Sequence, residues 1–380
     1  MPESVHLCIV AHHAWGAMNG GFRGHVGGVE RQTTLLARGL AARGHRVDLV
    51  TWDEGQGDHA EVDGVRSLKL CRRDAGLPGL RFLHPRWTSL EAALARSGCE
   101  VVYHNTAEYV TGQVAFWARR RRRRFVYSVA SDMDCDERLP ELRTLRERLL
   151  YRYGLRRADR VVVQTRHQAR MLERGFARPS LQIPMLCPGP ESLVPRPPPA
   201  PGRGRVLWMG RMAEVKRPDR LLDLAESCPE LCFDLVGPGD DAYARRLLAR
   251  AARAANVTVH GGVARPDTVR FYEAASALVC TSDREGFPNT FLEAWSHGVP
   301  VVSTVDPDGL IAERGLGAVG QDVPSLAAAL RGLLAEPGRW RAASEASRDY
   351  YRANHSVEGV LTRFERLFLE VSGRGKEEDR

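Results

Sequence analysis

Short apolar runs that alternate with longer helix-compatible stretches constrain this chain more than any other feature. The alternation is interrupted once, between residues 184 and 204, where eight prolines crowd together. Proline fixes φ and removes a backbone donor, so neither a helix nor an interior strand survives there, and the segment reads as a linker. Before it, the spacing predicts strands over 5–11, 46–51, 100–104, 125–130 and 160–164. Helices are predicted between them, over 30–43, 89–97, 111–119 and 137–157. After it, strands over 205–209, 232–236, 257–260, 277–281 and 299–303 alternate with helices over 218–226, 241–255, 267–275, 290–297 and 325–335. Such alternation is the pattern of parallel βαβ units. With 380 residues, two domains are the natural expectation. The chain is therefore expected to be α/β, with Rossmann-like parallel-sheet domains over 1–190 and 203–355 facing each other across a cleft. In such sheets ligands bind beyond the carboxyl ends of the strands, so chemistry is sought in the loops after them.

Composition narrows the partners. A hydrophobic fraction of 43% with 27% charged residues supports folded cores. A net charge of +8 favours anionic partners. The eight cysteines form no CxxC pair and no zinc-ligand set. The first residues lack a basic n-region, the apolar run at 5–11 is too short for a signal peptide, and nothing approaches the ~20 apolar residues of a membrane span. The expected location is the cytoplasm, with at most peripheral contact with the membrane face. Six consecutive arginines at 119–124 carry much of the charge. They read as a solvated loop or as a patch for an anionic membrane. Nucleic acid is not expected, because no recognition motif or interleaved aromatic pattern accompanies them.

Three loops carry candidate chemistry. After the first strand come His12 and His13, then a glycine-rich stretch ending in Gly27-Gly28 at a helix start. A helix N-terminus with glycines suits an anion, and a plain strand–helix turn explains them equally well. Either histidine could contact an acceptor or serve as a base, against the commoner structural role. In the second half, Arg211 follows a strand and Lys216 precedes a helix. Two cations at the mouth of a sheet suit a diphosphate, and a solvated basic turn is the alternative. The most informative segment is Glu285-Gly286-Phe287-Pro288-Asn289-Thr290-Phe291-Leu292-Glu293. Its two glutamates could take sugar hydroxyls and a ribose diol, although 290–293 also fits a helix capping box. An Asp-x-Asp at Asp132 and Asp134 could hold a divalent ion, or begin a helix where negative charge is favourable.

Together, the GGVE helix entry, the Gly44-His45-Arg46-Val47 lead into the second strand, the Gly210-Arg211…Lys216 pair and the EGFPNTFLE segment resemble the retaining GT-B glycosyltransferases of family 4, also called group 1. The resemblance covers nearly the whole chain. It implies transfer of a sugar from a nucleoside-diphosphate sugar, of UDP or GDP type, to an acceptor hydroxyl in glycan or glycoconjugate synthesis. It assigns Gly28 to the donor phosphates, and Arg211 and Lys216 to neutralising the diphosphate. Glu285 falls beside the transferred sugar, with Gly286, Phe287, Pro288 and Asn289 in the sugar loop. Thr290 and Phe291 fall at the phosphate-facing helix start, and Glu293 falls on the ribose. His12, His13 and Asp132 remain on the acceptor side, no metal or other cofactor is expected, and the segment 356–372 is expected to return to the first domain. One departure stands out: where many members carry a histidine after the fourth strand, this chain has Ala130. That leaves a non-catalytic sugar-nucleotide-binding protein as the rival reading, with a same-fold epimerase behind it.

Overall fold

The computed structural model describes residues 4–20, 27–57, 60–190 and 195–374. Part of the glycine-rich stretch after His13, at 21–26, and the charged tail at 375–380 lie outside the described residues. The chain forms two compact units: one comprises residues 1–186 with 357–380, the other 187–356. Each is described by itself.

The first unit is built on an eight-stranded sheet. Its strands are β1 (His6–Val10), β2 (Arg46–Thr51), β3 (Glu61–Val62), β4 (Val65–Lys69), β5 (Val101–Asn105), β6 (Arg124–Ser128), β7 (Arg160–Val163) and β8 (Leu181–Gln182). They lie in the order β3-β4-β2-β1-β5-β6-β7-β8. All pairings are parallel except the β3–β4 hairpin. That hairpin was not predicted: its strands are short, and its turn rests on positive φ at Asp63 and Gly64. The interior strands are valine-rich and buried on both sides, as parallel strands covered by helices must be.

Four of the first unit's helices bear most on its crevice and core. Helix α1 (Gly28–Ala42) opens with Glu30 Oε2 accepting the Gly27 N–H at 2.9 Å. Helices α2 (Tyr109–Arg120) and α3 (Leu145–Arg157) cross at Gly112 and Gly154. A Cβ on Gly112 would fall 2.8 Å from the Leu150 carbonyl carbon, so only glycine allows that approach. Helix α3 starts later than the predicted 137, because Leu139 adopts positive φ just before Pro140. Thr144 and Glu147 then form a capping box at 3.2 and 2.9 Å. Helix α4 (Val357–Ser372) belongs to this first unit. It lays Val360, Leu361, Phe364, Leu367 and Phe368 into the core shared with α1 and the sheet, edge-on to Tyr103.

The second unit has a six-stranded, wholly parallel sheet: β9 (Arg205–Met209), β10 (Cys232–Val236), β11 (Val257–Gly261), β12 (Ala277–Cys280), β13 (Val301–Ser303) and β14 (Gly317–Val319). The order is β11-β10-β9-β12-β13-β14. An 18-residue helix, Pro337–Asn354, went unpredicted because Pro337-Gly338 reads as a breaker. Proline at the first helical position is a start signal, since its missing N–H has no intrahelical partner to lose.

Both sheets are braced by a buried aspartate on the second strand of the unit. Asp48 on β2 accepts from His6 at 2.9 Å, Arg66 at 2.7 and 2.8 Å and Ser97 at 2.6 Å. Burial alone would raise its carboxyl, but these donors outweigh it and hold the group at about 2. Asp234 on β10 accepts from Arg205 at 2.8 Å through both oxygens and pairs with His260 at 2.8 Å.

Candidate active site

In each sheet the strand order reverses once at an interior strand. β1 lies between β2 and β5, and β9 lies between β10 and β12. At such a switch point the loops after the two central strands part and leave a crevice. In the second unit those loops hold Gly210-Arg211 and the segment from Thr281 to Asn289.

These loops are stitched together. Trp208 Nε1 donates to Thr281 Oγ1 at 2.9 Å, Thr281 Oγ1 donates to the Lys216 carbonyl at 2.9 Å, and Asp283 N donates to the Val215 carbonyl at 2.9 Å. The result brings Lys216 Nζ onto Glu285 Oε1 as an ion pair, and Ser282 Oγ donates to the same oxygen at 2.6 Å. Arg211 is exposed and has no ion-pair partner among the described residues. Gly237 fixes the floor: at φ +150 it faces the Gly210 backbone so closely that a Cβ there would overlap the carbonyl. Arg217 and Arg220 are held by Asp219 and Asp283 at 2.8 Å each. An open hollow of about 550 Å³ lies beside Arg217, Asp219, Tyr243 and Arg284, and its lining contains neither Arg211 nor Glu285.

The EGFPNTFLE segment divides by role. Phe287 packs edge-on against Trp295 and tilts against His355, and Pro288 is buried, so the loop is anchored by its apolar members. The helix that follows runs Asn289–Ser296, with Pro288 as its cap. The capping box considered for 290–293 therefore does not form. Instead Glu293 Oε2 accepts from the Tyr272 hydroxyl at 2.5 Å, and Tyr272 stacks on His297. Thr290 is partly exposed at the helix start. Phe291 is fully buried, and its N–H is committed to the Pro288 carbonyl at 3.1 Å.

The first unit's switch point encloses a cavity of about 240 Å³. His12 and His13 from the loop after β1, Gly27 to Glu30 from the α1 start, and His104 to Thr106 with Glu108 from the end of β5 line it. Gly28, His12 and His13 are thus brought together. His104 Nδ1 contacts the Val10 carbonyl at 2.8 Å; a carbonyl only accepts, so Nδ1 carries the proton and Nε2 a lone pair. Burial pushes His104 down to about 4, against that bond, and pushes His12 well below the usual histidine range, with the charges of His104, His13 and Arg86 adding to it. Both rings are neutral near pH 7. Glu108 is raised to about 7 by its recessed position first and then by Asp134, Glu30 and Glu147, although 39% of its side chain still meets solvent. His104 and Glu108 were missed in the sequence. The signal was the polar His-Asn-Thr close of an apolar strand, beside a switch point that only the strand order reveals.

Asp132 lies apart from that lining and accepts from Gln168 Nε2 at 3.0 Å. Asp134 is buried and caps its own turn, accepting from Ala130 N at 2.8 Å and from Ser131 Oγ at 3.1 Å. Burial raises its carboxyl to about 6 against those bonds. Among the described residues no group of three or more His, Cys, Asp or Glu is arranged to hold a metal ion.

Two α/β units, each with its polar crevice at a switch point, define the fold class, the GT-B fold. Residues 27–189 match the family described as a glycosyl transferase 4-like domain and residues 203–336 match the glycosyl transferases group 1, so the chain belongs to the group 1 glycosyltransferases. It is similar to the D-inositol 3-phosphate glycosyltransferase of Rhodococcus jostii, 29% identical over 233 residues, which are 54% of this chain and 52% of that relative. The chain thus spans about half the length of that curated relative. Against the Rhodococcus erythropolis protein of the same name it is 24% identical over 386 residues, 89% of this chain and 86% of the relative. Among solved structures it resembles sucrose-phosphate synthase from Thermosynechococcus elongatus, with a TM-score of 0.77, 23% identity, and coverage of 97% and 99% of the two chains. HepE of Anabaena, solved with UDP and glucose, gives a TM-score of 0.72 at 15% identity over 96% and 100%.

Proposed function

We propose that this protein is a retaining, family 4 glycosyltransferase that moves a sugar from a UDP- or GDP-type donor to an acceptor hydroxyl. The observation that carries the reading is the Lys216–Glu285 pair at the second unit's switch point, in the crevice that also holds the exposed Arg211. Lys216 can exchange its carboxylate partner for a diphosphate, which releases Glu285 to accept from the sugar hydroxyls. Arg211 then adds a second cation to the developing negative charge of the leaving group. Glu293, oriented by Tyr272, is the ribose acceptor. No protein nucleophile is required if the departing phosphate takes the acceptor proton on the same face, and two side-chain cations make a metal unnecessary. The UDP-bound complexes of similar folds, HepE with UDP among them, support a nucleotide donor. We place the protein in the cytoplasm. Titration with UDP, GDP, ADP and dTDP, with and without magnesium, tests the reading. Selective, magnesium-independent binding of one nucleotide is the expected result, and binding of none would overturn the reading; binding without transfer to any acceptor or to water would favour the non-catalytic rival that Ala130 raised.

A peripheral contact with anionic membrane has its own observation. Among the described residues, six of the eleven exposed large hydrophobics, Leu77, Leu80, Leu83, Phe116, Leu145 and Leu149, fall between residues 77 and 149 of the first unit. Arg146 over Phe82 at 3.8 Å and Trp87 against Phe116 at 6.0 Å tie these segments together. Exposed Arg143, Arg148 and Arg152 surround Leu145 and Leu149, one turn apart on α3. The arginines at 119–124 are all exposed, around the turn into β6. No helix among the described residues is long and apolar enough to cross a membrane. Leu145→Glu with Leu149→Glu should reduce sedimentation with anionic vesicles more than neutralising 119–124; the reverse order would return the contact to the arginine run.

A further inference from the structure

The cavity at the first unit's switch point is walled mostly by groups that accept hydrogen bonds. His104 Nε2 is a buried lone pair, fixed by the tautomer that the Val10 carbonyl imposes, and it has no partner among the described residues. His12 Nε2 is likewise buried and without a partner there. His12 Nδ1 stands 3.9 Å from Glu108 Oε2, beyond hydrogen-bond reach, so neither group satisfies the other. Both rings are more than nine-tenths buried, at 8% and 2% exposure for His12 and His104. Glu30 and Glu108 add two carboxyls, and no lysine or arginine is among the described lining residues. Leaving a buried polar atom without a partner is costly, so the occupant that suits this wall supplies donors.

We infer that the cavity takes an acceptor that is a polyhydroxylated ring bearing an amine, an aminocyclitol or amino sugar, rather than a phosphorylated polyol. This rests on the transferase reading and deepens it, since the occupant is the group to be glycosylated. An ammonium offers three donors and no acceptor, which matches the His104 lone pair and the carboxyls of Glu30 and Glu108. A phosphate offers only acceptors and would face Glu30 and Glu108 without a cationic side chain on the described lining. Among the described lining residues the α1 start is a donor-bearing edge, with Glu30 already closing the Gly27 N–H. It is also where Gly28 is assigned to the donor's phosphates. The neutral rings and the raised Glu108 support the same conclusion, because a bound ammonium would return Glu108 to its charged form. The relatives are named for a phosphorylated cyclitol, so this chain differs from them in acceptor.

Calorimetric titration of the full chain with 2-deoxystreptamine, myo-inositol and inositol 3-phosphate, at low and moderate salt, tests the assignment. The amine should bind at least about tenfold more tightly than the phosphate, and Glu108→Gln should remove most of that preference. Equal or tighter binding of the phosphate, or no saturable binding of any of the three, would overturn the inference. So would an undiminished preference in a folded Glu108→Gln. If that variant does not fold, the wild-type ranking alone decides. Nucleotide titration of the same preparation keeps the two readings apart. Retained nucleotide binding without amine preference sinks only the acceptor assignment, whereas loss of nucleotide binding sinks the transferase reading.

Discussion

The two units share a reversal of strand order around a central strand, with opposite chemistry in the crevices it creates. In the second unit the loops after β9 and β12 present Lys216, Arg211 and a paired Glu285. In the first, the loop after β1 and the end of β5 present imidazoles and carboxyls, with no lysine or arginine among the described residues of the cavity wall. The difference teaches that the fold supplies the crevice while the loop residues decide the charge it tolerates. On the transfer proposed above, one suits a leaving group that gains negative charge and the other a nucleophile that gives up a proton.

Breaking the second crevice should have the largest effect. Lys216→Ala or Arg211→Ala is expected to lower turnover by ~10²–10³, the cost of losing a charge-stabilising donor. Steady-state rates near those of the parent would remove either residue from the site. Next come the aspartate braces. Asp48→Asn should cost about 3 kcal/mol of the first unit's stability, as for breaking a buried ion pair. Asp234→Asn should cost less, because its partners Arg205 and His260 are 46% and 25% exposed. Asp48 has a depressed carboxyl, so its stabilisation is fully present above about 3.9, the unfolded value. It is lost as pH falls toward 2. Parent and variant melting curves, well separated at pH 6, should converge near pH 2.

Much of the fold was legible because strands such as β9, β10 and β12 are continuous apolar runs closed by glycine, proline or polar residues. The Lys216 and Glu285 motifs were legible too, as each is a short local signature. What brings them together is the β9–β12 adjacency, which joins strands distant in sequence. The acceptor-rich cavity was hidden for that reason alone. His12 and His104 meet only because β5 crosses over to lie beside β1. The β3–β4 hairpin and the helix from Pro337 were missed where a turn residue or a proline gave the only local sign.

Two smaller effects sharpen the contrast. Glu293→Ala should weaken nucleotide binding by about tenfold, one charge-assisted hydrogen bond, with the melting temperature nearly unchanged. A large drop in stability instead would make the Tyr272 contact structural. Glu108→Gln should raise the melting temperature slightly at pH 8 and hardly at all at pH 5. A carboxyl raised to about 7 penalises the folded state only once the unfolded chain would ionise it. A destabilised variant at pH 8 would show that the charged form is already satisfied.

The return of α4 to the first unit sets an order of events during synthesis. Residues 187–356 form a continuous stretch and can close their own core as soon as they leave the ribosome. The first unit emerges earlier but must wait for Val357–Ser372 before Tyr103, Leu36 and Leu40 are covered. Domains made N-terminal first usually fold in that order. Here the later half is finished first, and for that interval the earlier half offers an apolar seam to whatever binds nascent chains.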